Sequence, residues 1–269
     1  MHPEPLVGAR PSAPTTTQTT APASFGDALV RLRGAQKPAG RGAPAYSVYV
    51  NRPLGRYVAA AAHRIGWTPN GVTAASAALT LAGVLLIALV PPTLATGLTV
   101  AVLLAAGYAF DSADGQLARL RGGGSAAGEW LDHIVDAVKV VSLHAAVLVA
   151  AFRWLAPADR PAWLLLPLGF AIVSSVSFAV FLLNDLLRAA RAGSTTTAVI
   201  RTGSTPLRSL LGLPTDYGLL VWVFVLLGAP LLFLSVYGLV FLASLAYLLV
   251  ALPKWYRDVA ALDTRSEPR

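Results

Sequence analysis

The chain contains no cysteine and few charged side chains. Without cysteine it can form neither a disulfide framework nor a thiolate metal site. Charged residues make up only 13% of its 269 residues, whereas soluble domains carry about 25%. No apolar stretch typical of a signal peptide precedes Ser24, so we expect no cleaved leader. Hydrophobic residues account for 55% of the chain instead, and this composition is typical of a membrane protein.

The chain is strongly basic, with a formal net charge of +8. A basic protein can bind nucleic acid, but that function needs a patch of cations. Here the arginines are spread between apolar segments, so we expect no nucleic-acid partner.

The two ends of the chain lack a core of their own. Residues 1–45 are rich in Pro, Thr and Ala, and we interpret them as a disordered, low-complexity cytoplasmic segment. Within this segment a short helix is predicted over Phe25–Arg33. Residues 257–269 are predicted to form a cytoplasmic tail.

Residues 46–68 are predicted to form an amphipathic juxtamembrane helix, helical from Pro53 to Ile65. On a helical wheel Arg52, Arg56 and His63 fall within about 40° of one another. The opposite side carries apolar residues: Leu54, Val58, Ala61 and Ile65. This pattern fits a helix lying in the lipid headgroup layer, and it fits a helix packed on the protein's own cytosolic surface equally well.

Residues 69–256 are predicted to form an all-α bundle of six transmembrane helices, because about 20 apolar residues cross the hydrocarbon core. Four spans are separate: Val72–Val90, Leu94–Phe110, Ala127–Phe152 and Ala162–Leu183. The uncharged stretch Tyr217–Pro253 is too long for one crossing. We divide it near Gly228-Ala229-Pro230 to give the last two spans.

The distribution of Lys and Arg predicts the orientation of this bundle. With six spans, 18 of these residues fall on one side, and only Arg153 and Arg160 fall on the other. Positive charges concentrate on the cytoplasmic side of membrane proteins. We therefore expect both termini to be cytoplasmic in a multi-pass protein of the cell's inner membrane.

Four carboxylates lie where the second predicted span ends and the third begins: Asp111, Asp114, Asp132 and Asp136. Four unpaired charges in hydrocarbon would cost about 10 kcal/mol, so a compensating charge is required. Helical spacing places Asp132 and Asp136 on one side of their helix, and Asp111 and Asp114 can converge on the same volume. Oxygen ligands favour hard cations, so we expect Mg²⁺ or Mn²⁺, as two ions bridged by carboxylates.

Two other interpretations remain open for these acids. In the first, they serve only as ion-pair partners of Arg119, Arg121 and Lys139, and in the second they form a proton relay in a transporter. The metal interpretation differs from both because two ions held by carboxylates can neutralise a diphosphate and position it for displacement.

The residues from Asp111 to Asp136 resemble the signature of the CDP-alcohol phosphotransferase family, D-x2-D-G-x2-A-R-x8-9-G-x3-D-x3-D. All eight fixed positions are filled: Asp111, Asp114, Gly115, Ala118, Arg119, Gly128, Asp132 and Asp136. A chance match has a probability on the order of 10⁻¹⁰ per starting position. The resemblance extends to Thr68-Pro69-Asn70 and the six-span layout, over roughly residues 46–256.

The resemblance implies an enzyme that transfers a substituted phosphate from a CDP-linked alcohol to a second alcohol and releases CMP. It implies that Asp111, Asp114 and Asp132 bind the metal ions, with Asp136 also close to them. Asp136 would be the general base. The resemblance also implies that CDP is bound by these residues: Asp111, Asp114, Gly115, Ala118, Arg119, Gly128 and Asp132. Members of the family are commonly homodimers.

The acceptor lies beyond the motif. Lys139 continues the Asp132–Asp136 stripe and either binds an acceptor's phosphate or offsets Asp136. Arg188 and Arg191 either bind a phosphorylated acceptor or reflect the cytoplasmic charge bias alone. We expect a CDP-diacylglycerol donor and a polar alcohol acceptor in phospholipid synthesis, with transfer from a CDP-choline-like donor to diacylglycerol as the alternative. A non-catalytic membrane protein is the rival class.

Overall fold

The computed structural model describes residues 24–34, 44–155, 160–191 and 215–263, and every regular element in these ranges is helical. The predicted all-α class is therefore confirmed. Residues 1–23 and 35–43 of the segment 1–45 that is predicted to be disordered lie outside the described ranges, as do the last residues of the predicted tail. The α-helices are α1 Phe25–Gly34, α2 Arg52–Arg64, α3 Pro69–Leu89, α4 Leu94–Leu120, α5 Ala126–Ala150, α6 Leu165–Arg191, α7 Tyr217–Val223 and α8 Pro230–Asp263.

Four of these helices are preceded by a cap residue whose side chain accepts a hydrogen bond from a backbone amide of the first turn. The cap residues are Thr68 for α3, Thr93 for α4, Ser125 for α5 and Asp216 for α7. Such caps satisfy amides that the helix itself leaves unpaired. The predicted start at Thr68-Pro69 and the predicted short helix at Phe25 are both confirmed.

Five helical stretches are long and apolar enough to cross a membrane: Pro69–Leu89, Leu94–Leu120, Ala126–Leu155, Pro161–Arg191 and Pro230–Leu262. The predicted count of six spans is not confirmed among the described residues. The remaining apolar segment has seven α-helical residues and five in a 3₁₀ helix, Phe224–Gly228. It rises about 20 Å, which is short of the hydrocarbon thickness of about 30 Å. The predicted division near Gly228 is confirmed, since α8 begins at Pro230.

The short segment Tyr217–Gly228 runs antiparallel along α4. Tyr217 packs edge-on against Tyr108, with ring centroids 5.1 Å apart. At the other end, a Cβ atom on Gly228 would lie 2.5 Å from the backbone nitrogen of Leu94. The segment therefore covers the depth of α4 between its first residue and Tyr108, and the glycine permits the close approach of the two backbones.

Helix α4 also packs closely on α3 through small residues. A Cβ atom on Gly107 would lie 3.2 Å from the carbonyl oxygen of Ser76, and the Ser76 hydroxyl donates a 2.8 Å hydrogen bond to the carbonyl of Gly107. Further from the carboxylates along the same two helices, Gly83 of α3 faces Leu104 of α4. This packing fixes α3 beside the end of α4 that carries the acidic residues.

Helix α2 is present where the juxtamembrane helix is predicted, and it packs on α4 through small residues. Ala59 and Ala60 are fully buried, and Gly55 faces Ser112 of α4. The side chains of Leu54, Tyr57 and Ile65 are exposed, although all three are apolar or aromatic. The helix therefore packs on the protein and still presents an apolar side outward.

The helices place all the acidic motif residues at one end of the bundle. Helix α4 ends there and α5 begins there, and the start of α3 and the end of α6 lie at the same end. Below this end, the largest core cluster joins α4, α5, the Tyr217–Gly228 segment and α8 around Phe224, Phe233 and Tyr237.

Candidate active site

The centre of the candidate site is a group of three carboxylates contributed by two helices. One carboxylate oxygen from each of Asp111, Asp132 and Asp136 lies within 4.8 Å of the other two. Asp111 comes from α4, and the other two are one turn apart on α5. All three side chains are half-buried. The spacing argument from the sequence is confirmed for these three residues.

Asp114, the fourth predicted carboxylate, does not belong to the group of three. It is buried and accepts a 2.6 Å hydrogen bond from the Thr73 hydroxyl of α3. Thr73 also approaches the carbonyl of Pro69, at 3.2 Å. The start of α3 therefore holds Asp114 beside the cluster. Sequence spacing does not indicate Thr73, because its partner lies 41 residues further along the chain.

Lys139 supplies a positive charge to the cluster. Its ammonium group contacts Asp111 and forms an ion pair with Asp136 at 3.2 Å. Lys139 is buried. The arrangement agrees with the interpretation that Lys139 offsets Asp136, and it shows that the cluster accommodates a cation between its carboxylates.

Several of the predicted residues of the CDP pocket have neighbours near the starts of α2 and α3. The Arg119 guanidinium folds back over Gly115, and a Cβ atom on Gly115 would lie 3.5 Å from its Nη1. A Cβ atom on Gly128 would lie 3.1 Å from the Oδ1 of Asn70. Polar side chains therefore lie directly over both glycines, and Asn70 is a neighbour of Gly128 that the sequence interpretation did not name.

Arg52 at the start of α2 lies in electrostatic range of Arg119. Its carbonyl oxygen accepts a 3.0 Å hydrogen bond from the side-chain amide of Gln116. The sequence predicts Arg52 on the basic side of α2, opposite the apolar side. In the structure the side chain of Gln116 reaches from α4 to the backbone at this first residue of α2.

The predicted acceptor residues Arg188 and Arg191 lie at the end of α6. Arg188 forms ion pairs with Asp185 at 3.7 Å and with Asp258 of α8 at 3.9 Å. These pairs connect the ends of α6 and α8. They do not test the acceptor role, which stays a prediction for both arginines.

The donor set of the cluster fits a hard divalent cation. Its ligands are carboxylate oxygens from neighbouring helices, and such oxygens bind Mg²⁺ and Mn²⁺ in preference to softer metals. Asp114 is close enough to Asp111 and Asp132 to interact with both electrostatically. The ammonium of Lys139 shows where a positive charge is stabilised.

Five long apolar helices and an acidic cluster at one end define the class of protein: a polytopic α-helical membrane protein with a place for a divalent cation. Comparison with known families then identifies the chain more closely. The family model of CDP-alcohol phosphatidyltransferases matches residues 67–252, well over half of the sequence, and the chain belongs to that family. It is therefore a transferase of substituted phosphate groups, in a family that uses divalent metal ions. A search of curated proteins gives no match.

Proposed function

We propose that this enzyme transfers a phosphatidyl group from CDP-diacylglycerol to a polar alcohol and releases CMP. The observation that supports this most is the convergence of Asp111, Asp132 and Asp136 at the end of an apolar bundle. A site at that position is accessible to a lipid substrate from the bilayer and to a water-soluble substrate from the adjacent solution.

In the proposed reaction, Asp111, Asp114, Asp132 and Asp136 hold two ions, Mg²⁺ or Mn²⁺. The ions offset the charge that builds up on the transferring phosphoryl group and on departing CMP. Asp114 accepts from Thr73 through one carboxylate oxygen and from the amide of Gly115 through the other. The Lys139 ammonium, which contacts Asp111 and Asp136, would have to leave these oxygens for the ions to be held there.

Asp136 acts as the general base. The acceptor oxygen forms a bond to the β-phosphorus of the donor, and the bond between that phosphorus and the CMP oxygen breaks with its electron pair leaving on CMP. The acceptor's proton passes to Asp136 and then to water. A carboxylate is needed because an alcohol near neutral pH is a poor nucleophile.

The nucleotide is bound on the side of α2 and α3. Gly115, Ala118 and Gly128 allow its close approach, and Arg119 donates hydrogen bonds to the diphosphate oxygens. Asp111, Asp114 and Asp132 would hold the ions that neutralise its diphosphate. The acceptor approaches Lys139, and a phosphorylated acceptor extends toward Arg188 and Arg191.

We further propose that Tyr217–Gly228 completes a sixth crossing, that residues 69–256 form the catalytic domain, and that the acidic end faces the cytoplasm of a cell with the enzyme in its inner membrane. The excess of Lys and Arg at the acidic end supports this orientation, since Arg153 and Arg160 lie at the opposite end. A homodimer is proposed from the family resemblance.

Helix α2 is proposed to lie in the headgroup layer. The exposed side chains of Leu54, Tyr57 and Ile65 support this, because an apolar side that the protein leaves uncovered is stabilised by lipid. The membrane lipids are then partners of α2 as well as of the bundle.

The proposal is tested by incubating the purified protein with CDP-diacylglycerol, Mn²⁺ and a panel of alcohols that includes glycerol 3-phosphate, inositol phosphate and serine. CMP release and the mass of the lipid product identify the acceptor. CMP release only from CDP-choline with diacylglycerol would replace the proposed donor and acceptor. No CMP in either pairing would contradict the proposed reaction and favour a non-catalytic or transport role.

A further inference from the structure

The hydroxyl of Tyr217 is buried and has no hydrogen-bond partner among the described residues. Buried hydroxyl groups are almost always hydrogen-bonded, because an unpaired one loses its interaction with water and gains nothing in return. Tyr217 is the first residue of α7, and its ring packs edge-on against Tyr108 at 5.1 Å. Its hydroxyl is thus an unused donor at the end of the bundle that carries the acidic cluster.

The backbone around Tyr217 is held in place by its neighbour. One carboxylate oxygen of Asp216 accepts hydrogen bonds from the amides of Tyr46 at 2.9 Å and Ser47 at 3.3 Å. The other accepts from the amide of Gly218 at 3.0 Å. The hydroxyl of the adjacent Tyr108 is hydrogen-bonded to Ser47 and does not pair with that of Tyr217. The unpaired group is therefore fixed where it is.

Tyr217 lies close to the acidic cluster, since Asp111 and Asp136 both interact with its hydroxyl electrostatically. It belongs to α7, which packs on α4 and α8, whereas Asn70 and Arg52, the neighbours of the proposed CDP pocket, belong to α3 and α2. Tyr217 therefore reaches the group of three carboxylates from a helix that supplies none of the residues of the proposed CDP pocket.

Tyr217 also lines a cavity of about 180 Å³ between α5, α6, α7 and α8. The walls are mostly apolar, as at Val140 and Phe178, with a few hydroxyl groups such as those of Ser174 and Ser244. None of the described lining residues is Lys or Arg. Its acidic lining residue, Asp216, is already hydrogen-bonded to three backbone amides. The cavity therefore suits an uncharged part of a substrate.

We propose that Tyr217 is an acceptor-binding residue whose hydroxyl donates a hydrogen bond to the incoming alcohol, with an uncharged portion of a substrate in the adjoining cavity. The inference rests on the proposed function. Phosphoryl transfer requires the attacking and leaving oxygens to lie roughly in line, on opposite faces of the phosphorus. If CMP leaves toward α2 and α3, the acceptor enters from the side where Tyr217 has a free donor.

The test compares Tyr217→Phe with Tyr46→Phe. Both changes remove one hydroxyl from the same row of aromatic rings, but the Tyr46 hydroxyl is paired with the Trp222 indole nitrogen at 3.2 Å and its ring stacks on Tyr108. In detergent without substrates, Tyr217→Phe should unfold at the same temperature as the parent protein or above it. A lower unfolding temperature would show a structural partner for this hydroxyl and overturn the inference.

The kinetic measurement uses the alcohol that supports CMP release by the parent enzyme. Tyr217→Phe should raise the KM for that alcohol about three- to tenfold and leave the KM for CDP-diacylglycerol unchanged. Tyr46→Phe should change neither. An unchanged acceptor KM, or a change in the donor KM alone, overturns the inference while the proposed function stands. If the parent enzyme releases no CMP with any alcohol, the proposed function is wrong and the role of Tyr217 is wrong with it.

Discussion

The carboxylate of Asp216 accepts a hydrogen bond from the backbone amide of Tyr46, 170 residues earlier in the chain. The same carboxylate caps α7 through the amide of Gly218. Gly218 has no space for a side chain, because a Cβ atom there would collide with the ring of Tyr46. This contact joins the segment that precedes α2 to the segment that carries Tyr217. It therefore connects α2, through the segment before it, to the part of the candidate site that Tyr217 forms.

Replacing Asp216 with Ala should lower the free energy of unfolding by about 1–3 kcal/mol, because three backbone amides lose an ionised acceptor. Thr93→Ala is the control, since Thr93 also accepts from a first-turn amide but does not join distant segments. Denaturation in mixed micelles measures both variants. Equal losses would mean that Asp216 acts as a helix cap only.

Asp136→Asn should lower the rate of CMP release by about 10²–10⁴-fold, because the amide cannot accept the acceptor's proton. The variant should remain folded and elute from size-exclusion chromatography as the parent does. Asp27→Asn serves as the control, since Asp27 is exposed on α1 and interacts with Ser24. A rate within a factor of about two of the parent value would exclude Asp136 as the base.

Lys139→Met should increase the affinity for Mn²⁺ in the absence of substrates, on the order of tenfold. The ammonium contacts Asp111 and forms an ion pair with Asp136, so it competes with a divalent ion for the same oxygens. Titration calorimetry with Mn²⁺ gives the affinity. An affinity equal to that of the parent protein would show that the ammonium and the ion do not compete.

The same variant separates the two roles predicted for Lys139. If the lysine only offsets Asp136, Lys139→Met should recover its turnover at saturating Mn²⁺ with every acceptor. If it binds an acceptor's phosphate, the KM should rise for a phosphorylated acceptor such as glycerol 3-phosphate. The KM for an uncharged acceptor should then be unchanged.

His63 should make the protein less stable at acidic pH. Burial, Arg121 and Arg31 lower the pKa of His63 in the folded protein, in that order of importance. The unfolded chain therefore binds a proton more readily than the folded one. His63 does not lower the free energy of unfolding above about pH 6.5, the pKa in the unfolded chain, because it is neutral in both states. The free energy of unfolding decreases as the pH falls from there through the lower folded pKa.

The measurement is the unfolding temperature of the parent protein minus that of His63→Gln between pH 8 and pH 5. The difference should become more negative as the pH falls. Subtraction removes the effect of the carboxylates, because they titrate in both proteins. A difference that grows more positive with acidification would contradict the lowered pKa.

The absence of native cysteine allows a direct test of where α2 lies. A spin label at Tyr57→Cys should be accessible to oxygen and shielded from a water-soluble nickel chelate in liposomes, because the Tyr57 side chain points away from the protein. Gly124→Cys, in the exposed turn before α5, should give the opposite pattern. Nickel accessibility at both positions would place α2 in water on the protein surface.

Much of the local structure follows from the sequence because it depends on neighbours in the chain. Thr68-Pro69 starts α3 where predicted, and the break before Pro230 is where the glycine and proline indicate it. The pairing of Asp132 with Asp136 follows from the helical repeat alone. The predicted count of six spans is not confirmed among the described residues, because Tyr217–Gly228 is shorter than the helices that can cross a membrane.

The sequence by itself determined the all-α class, the apolar spans and the spacing of the acidic motif, since these depend on residues within a few turns of one another. The tertiary structure decided which side chains meet. Asp114 pairs with Thr73 of α3, and the Tyr217 hydroxyl is left unpaired beside Asp111. No periodic pattern encodes these contacts, because they arise only when helices distant in sequence pack against α4 and fix the depth at which each side chain lies.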